Sequence, residues 1–265
     1  MTEYTLNELM AVNVAHQLRD NEMGFIGVGT GGRAFTMAVG LPIVAARLAQ
    51  LTHAPNFTVQ IGTIISPDLK KIPREFTQST LTSWPTAARI RADDNLDMFV
   101  KGKVDVGFIS GAQIDQYGNL NITAIGNYIK PKVRLVGCLA LPEHQAFAQR
   151  TFIITDQNSR TFIEKVDFVT GVGWNVNGKT RKDLNLPGGG PTFVFTDLAI
   201  FDFNAEGHRM QVASIHPGVT PSEVQEKTGF PLEFPKNIPV TTVPTAEEIR
   251  LIHDEIDPEN ILLKY

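Results

Sequence analysis

The residues best placed to do chemistry stand together in Ser110-Gly111-Ala112-Gln113-Ile114-Asp115-Gln116-Tyr117-Gly118-Asn119-Leu120-Asn121. Gly111 and Ala112 are small enough for close backbone approach. Gln113, Asp115, Asn119 and Asn121 offer carboxamides and a carboxylate, and Gly118-Asn119 suits a turn at positive φ. By composition the stretch is a strand-to-loop edge with several polar groups aimed one way. A second candidate is Gly27-Val28-Gly29-Thr30-Gly31-Gly32, which meets the G-x-G-x-x-G spacing between an apolar run and a helix, where backbone N–H groups can reach a phosphate. The acid that would hold a ribose about 20 residues further on is missing: no Asp or Glu occurs between Glu22 and Asp68. The glycine run therefore reads as a tight strand-to-helix turn.

Other chemistries lack their residues. The histidines at 16, 53, 144, 208, 216 and 253 form no i,i+4 pair and have no cysteine at ligand spacing, so no metal site is expected. His216, before Pro217-Gly218, reads as structural. No G-x-S-x-G elbow supplies a serine nucleophile. Cys138 follows Gly137 after an apolar run and has no basic neighbour to lower its pKa, so a buried, inert thiol is expected.

Positioning these groups falls to helices and short β-rich runs. Thr5 and Glu8 form a capping box, Tyr4 and Leu9 a hydrophobic staple, and Leu6, Leu9, Met10 and Leu18 recur at helical spacing. Met23–Gly32 is a short apolar run ending in glycines. A helix follows, with Pro42 near its first turn, Val44, Leu48 and Leu51 on one face, and a stop before Pro55. The runs Phe57–Ile65, Val104–Ile109, Val133–Ala140, Phe152–Thr155, Val166–Thr170 and Thr192–Thr196 are expected as strands, several of them apolar throughout, as in a mostly parallel sheet covered on both faces. Ala199–Phe203 and Met210–Ile215 flank a turn as an antiparallel hairpin does. Thr220 and Thr245 each open a helix with a glutamate three residues on, and Pro231–Pro244 reads as a surface connector. The expectation is one α/β domain, 1–265, a mostly parallel sheet flanked by helices with C-terminal antiparallel and helical additions.

Composition narrows the function. The 265 residues carry 24 Lys+Arg against 28 Asp+Glu, a net charge of −4. No basic block stands out, which argues against nucleic acid. No apolar run approaches the roughly 18–20 residues of a membrane helix, and the N-terminus lacks a signal-peptide layout. The single cysteine excludes an internal disulfide and suits a reducing compartment. A cytoplasmic protein is expected.

The pattern G-A-Q-I-D-x-Y-G-N-x-N at Gly111–Asn121 resembles the β-chain signature of class I CoA-transferases, above all the glutaconate CoA-transferase branch. The likeness continues through Leu51–Pro55, Ile125–Lys132, Phe162–Trp174, Thr196–Phe203 and His216–Phe230, the last block also resembling the β chain of CoA-dependent steroid-ring hydrolases. The resemblance implies a homologous α subunit, a heterodimer or dimer of heterodimers, and an acyl-CoA thioester as substrate with no resident cofactor. It implies that transferases of this type attack with a glutamate in an E-x-G pattern at the end of the second strand. Here the match is Val59-Gln60-Ile61-Gly62, so Gln60 holds the nucleophile position, and a gapless match would put Gly62 there. It also implies an oxyanion-binding turn at Gly137-Cys138, where Leu139, Leu141 and Pro142 replace a glycine-rich segment. Gly62, Gly111, Ala112, Gln113, Asp115, Gly118, Asn119 and Asn121 are the implied substrate and CoA contacts, at a pocket mouth shared with Gln60 and Gly137. An amide cannot form the mixed anhydride that transfer needs. Non-transfer chemistry on an acyl-CoA, C–C hydrolysis or decarboxylation, is therefore expected. Genuine CoA transfer and a non-catalytic scaffold subunit are the alternatives.

Overall fold

The structure, a computed structural model, describes residues 3–28, 31–138 and 140–265. The chain forms two compact units, Met1–Phe108 with Thr242–Tyr265, and Ile109–Thr241. No glycine- or proline-rich linker marks the passage between them, which is why the sequence reads as one domain.

The first unit opens with α1 (Leu6–Ala15), started by the expected capping box: Thr5 Oγ1 accepts from Glu8 N, and Glu8 accepts from Thr5 N at 2.6 Å. β1 (Met23–Ile26) follows. The expected G-x-G-x-x-G turn includes Gly29 and lies partly outside the described residues. α2 (Gly32–Phe35) runs through a π-helical turn, Thr36–Gly40, into α3 (Leu41–Leu51). The helix thus begins earlier than Pro42 suggests. Proline has no N–H to give and crowds the preceding turn, and the wider π turn just before it removes the conflict. The absence of a long apolar stretch is also corrected: the helical stretch Gly32–Leu51 is 20 residues and contains an 18-residue window of mean hydropathy 1.5, long and apolar enough to cross a membrane, but that window is 72% buried within the protein, as a core helix is.

β2 (Thr58–Ile61) and β3 (Ile64–Pro67) replace the single run expected over Phe57–Ile65, because Gly62, at φ 53°, reverses the chain between them. α4 (Gln78–Ser83), β4 (Thr86–Arg89), α5 (Ala92–Val100) and β5 (Val106–Ile109) follow. The strands order as β5-β1-β2-β3-β4, with β1 parallel to β2 and β5, and the β2-β3 and β3-β4 ladders antiparallel. α5 covers one face: Phe99 meets Phe25 edge-on at 4.9 Å.

The second unit carries two small hairpins, β6 (Gln113–Ile114) with β7 (Leu120–Asn121) and β8 (Ala124–Ile125) with β9 (Val133–Arg134). Then come α6 (Leu141–Phe147), β10 (Arg150–Ile154), the β11 (Asn175–Val176) and β12 (Lys179–Thr180) hairpin, β13 (Pro191–Phe195), β14 (Ala199–Phe203), β15 (Met210–Ile215) and α7 (Pro221–Glu226). β10 and β13 are parallel, and β13-β14-β15 form the expected antiparallel addition. Phe162, Phe201, Val194 and Leu120 centre its core.

Of two further expected strands, one forms only in part and the other not at all. Val133–Ala140 pairs only over Val133–Arg134, since Gly137 (φ 100°) and Ala140 (φ 61°) turn the chain. Val166–Thr170 is irregular: Thr170 N and Gly171 N both donate to the single carbonyl of Leu120 and Thr170 Oγ1 accepts from Ile122 N, so the contact stops at an isolated bridge and no ladder extends from it. Pro231–Pro244 runs beside β15, touching it by isolated bridges at Glu233 and Val240. The chain returns to the first unit with α8 (Ala246–Leu251), capped reciprocally by Thr245 and Glu248, and a π turn, Ile252–Ile256. Asp257 then accepts the backbone N–H groups of Ile261, Leu262 and Leu263 and pins the tail. The fold is α/β, with parallel ladders through β2-β1-β5 and β10-β13, antiparallel ones toward β4 and β15, and helices packed against them.

Candidate functional site

The Gly111–Asn121 loop is a closed hairpin. β6 pairs β7 as Gln113↔Asn121 and Ile114↔Leu120, and Gly118 makes the turn at φ 74°. A Cβ on Gly118 would also come within 2.8 Å of Pro191, and one on Gly111 within 2.8 Å of Leu120. Inside the turn the buried Asp115 accepts from Tyr117 N (3.0 Å), Asn119 N (3.1 Å) and Asn119 Nδ2 (2.9 Å). Burial pushes its carboxyl up to about 6, against the opposing pull of those donors. Asn119 also donates to Asn175 O and accepts from Gly173 N, both at 2.8 Å.

The other carboxamides are engaged just as fully. Gln113 Oε1 accepts from Asn121 Nδ2 (2.7 Å) and Asp167 N (3.1 Å), and Gln113 Nε2 donates to Asp167 Oδ2 (2.9 Å). Asn121 Oδ1 accepts from Thr123 N (2.9 Å), while Nδ2 also reaches Ala124 O (2.8 Å). Thr170 Oγ1 accepts from Ile122 N (3.0 Å) and bonds Thr123 Oγ1 (2.7 Å). On the segment held this way hang Leu135 N, bonded to Thr123 O, and Gly137 N, bonded to Ile122 O, both at 3.0 Å.

The structure thus brings the signature loop and the Gly137 turn together through Ile122. A Cβ at Gly137 would meet nothing within 4 Å, so open space faces the turn, but its φ of 100° admits glycine before any other residue. Gly137's own N–H, bonded to Ile122 O, is not available to an oxyanion in this conformation. Cys138 is exposed, correcting the expected buried thiol: the turn carries it out of the apolar run that the sequence suggested. Leu139 lies outside the described residues.

Gln60 and Gly62 belong to the first unit. Gln60, on β2, is fully buried, and its Nε2 donates to Asn95 Oδ1 on α5 (2.8 Å) and Gly62 O (3.2 Å). Turning the amide over would set its oxygen against both acceptors, so its orientation is fixed. Its Oε1 is buried with no donor among the described residues.

Sequence reasoning missed Asn95, Asp167, Thr170 and Arg181. The last is buried, and its guanidinium donates to the carbonyls of Gln145, Ala146, Val172, Gly173 and Gly188. No carboxylate pairs with it among the described residues, and burial lowers its pKa to about 10. It ties the end of α6 to Gly173, which in turn donates to Asn119. Nothing local marks such residues, because each acts at long range. His216 is structural as expected: Nε2 donates to Thr196 O (2.8 Å) and Nδ1 meets Thr241 Oγ1 (2.9 Å). No group of three potential metal ligands assembles among the described residues.

An α/β unit that presents a carboxamide-braced hairpin beside a glycine turn has the form of a CoA-transferase subunit. The coenzyme A transferase family model matches residues 7–227, and the chain belongs to that family. It is 36% identical over 258 residues to the β subunit of the 3-oxoadipate CoA-transferase of Pseudomonas knackmussii, covering 95% of this chain and 93% of that one. The β subunit of the glutaconate CoA-transferase of Acidaminococcus fermentans is 32% identical, with 97% and 94% covered. That enzyme's crystal structure superposes with a TM-score of 0.84 over 100% of this chain and 99% of its own. The cholesterol ring-cleaving hydrolase IpdB subunit of Mycobacterium tuberculosis is 28% identical, with 97% and 96% covered.

Proposed function

We propose that this chain is the β subunit of a two-chain, cytoplasmic enzyme acting on an acyl-CoA, and that its reaction is C–C hydrolysis or decarboxylation rather than CoA transfer. The observation that carries the reading is Gln60. At the position where the family resemblance puts an attacking glutamate stands an amide, sealed in the unit, with its N–H groups committed to Asn95 and Gly62. A carboxylate can be acylated to an anhydride and then opened by CoA thiolate, whereas an amide does neither at neutral pH. The acid–base groups then come from the partner chain or the substrate, and the hairpin and Gly137 turn shape the pocket for the thioester.

The test is product formation by the purified complex with an acyl-CoA and no acceptor acid. Turnover is expected, with no CoA or acyl adduct on this chain by mass spectrometry. Strict dependence on an acceptor, with a borohydride-sensitive thioester on a glutamate of this chain, overturns the reading.

Genuine transfer is the second reading, favoured by the higher identity to the two transferase subunits, 36% and 32%, than to the hydrolase subunit, 28%. It needs another nucleophile. Glu75, the nearest downstream glutamate, is exposed in a bend. Gln60→Glu separates the readings further: a covalent adduct on the introduced carboxylate supports retained transfer geometry, and an adduct-free variant that still binds acyl-CoA supports the non-transfer reading.

A further inference from the structure

The segment Gly126–Val136 places four large apolar side chains in solvent within nine residues: Tyr128 (51% exposed), Ile129 (86%), Val133 (49%) and Val136 (87%). Lys130, Lys132 and Arg134 are exposed among them, and the segment contains no acidic residue. It is braced rather than loose. Asn127 Oδ1 accepts from Ile129 N (2.9 Å) and Lys130 N (3.2 Å), and Gly126 N donates to Asp167 Oδ2 (3.0 Å). Lys132 N donates to Ile125 O (2.9 Å), closing the hairpin. The Tyr128 ring stacks on Phe168 at 5.1 Å, with the Arg134 guanidinium 5.0 Å over it. A rigid apolar projection loses little conformational freedom when it is covered, which is the character of a binding anchor.

We propose that this hairpin is the docking surface for the partner subunit, and that the partner presents an apolar recess rimmed by carboxylates. The inference rests on the two-chain reading above and adds the place and the chemistry of the contact. Charge selects the occupant. A second copy of this chain meeting the patch across a two-fold axis would set Lys130, Lys132 and Arg134 against their own copies, and like charges brought together reject such a pairing. An acidic rim matches all three. Val136 directly precedes Gly137, so the subunit seated here also covers the open side of that turn and closes the pocket.

The test co-expresses the chain with its homologous α subunit and measures the dissociation constant at low and high salt. Ile129→Ser with Val136→Ser is expected to weaken association by about 100-fold. Lys130→Glu with Lys132→Glu is expected to slow association about 10-fold at low salt, with the difference shrinking at high salt. Val240→Ser, at an apolar position 67% exposed on the Pro231–Pro244 connector, is the control and should change nothing. Cys138 gives an independent readout, since partner binding should slow its maleimide labelling at least 10-fold. All altered side chains are solvent-exposed, and unchanged thermal melting confirms folding. If the wild-type chain binds no α subunit, the two-chain reading falls and the proposal with it. If the complex forms but neither double variant nor the labelling rate responds, the proposal alone is overturned. A homodimer assembled through the hairpin overturns the acidic partner.

Discussion

Carboxamides occupy both candidate regions, Gln113, Asn119 and Asn121 in the second unit and Gln60 with Asn95 in the first, but they are bonded differently. In the hairpin each carboxamide oxygen and nitrogen has a partner, and the bonds run on through Asp167, Thr170 and Ile122 to Gly137. At Gln60 the donors are engaged while the oxygen is buried without a donor among the described residues. A fully satisfied polar network stiffens what it holds, and a half-satisfied one costs stability. The carboxamides of the hairpin therefore hold the backbone around them and, through Ile122, the Gly137 turn in place. An orphaned acceptor in a native interior costs about 1–3 kcal/mol and asks for an explanation beyond folding.

Variants can break this contrast, beginning with the largest effect. Arg181→Met removes the donor to five carbonyls. Orphaned carbonyls at about 1–3 kcal/mol each, offset by relief from burying a charge, give an expected loss of about 4 kcal/mol in urea unfolding. A loss below about 1 kcal/mol would show that water or other groups take over those acceptors.

Asp115 sharpens the contrast through pH. Its carboxyl, raised by burial to about 6 from 3.8, is stabilising when protonated, so this contribution is whole below pH 3.8 and lost as pH rises through about 6. At about 1.4 kcal/mol per unit the loss is about 3 kcal/mol. Measured against Asp115→Asn, wild-type stability should fall between about pH 4 and about 6.5, the variant lacking that slope. Parallel curves would mean the N–H donors of Tyr117 and Asn119 fully offset burial.

Asn121→Ala should cost about 2 kcal/mol and, more tellingly, speed amide hydrogen exchange at Thr123 and Gly137 while the β13-β15 strands stay protected. Unchanged exchange at Gly137 would separate the loop from the turn. The smallest effect belongs to the first unit. Gln60→Met with Asn95→Leu replaces both partners by apolar groups of similar size, and stability should stay within about 1 kcal/mol of wild type. A large loss would show that Gln60 Oε1 has a donor that folding depends on.

Much of the local structure follows from residues close in the chain. Thr5 with Glu8 and Thr245 with Glu248 bring together groups three positions apart, and they cap helices as expected. Ala199–Phe203 and Met210–Ile215 pair across a short turn. The signature loop is legible for the same reason, since Asp115 and Asn119 meet within four residues. Val133–Ala140 misleads because an apolar run shows what could be buried and not whether anything covers it.

What remained for the tertiary structure is whatever depends on distant partners. Gln60 finds Asn95 across 35 positions, and Gln113 finds Asp167 across 54. No spacing rule links such pairs, so the sequence by itself determined that amides stand at these positions, and the packing of α5 and of residues 166–173 decided which of their atoms are satisfied. Exposure was decided the same way: Cys138 and Val136 reach solvent because Gly137 and Ala140 turn the backbone there, a consequence of where the chain is anchored at Ile122.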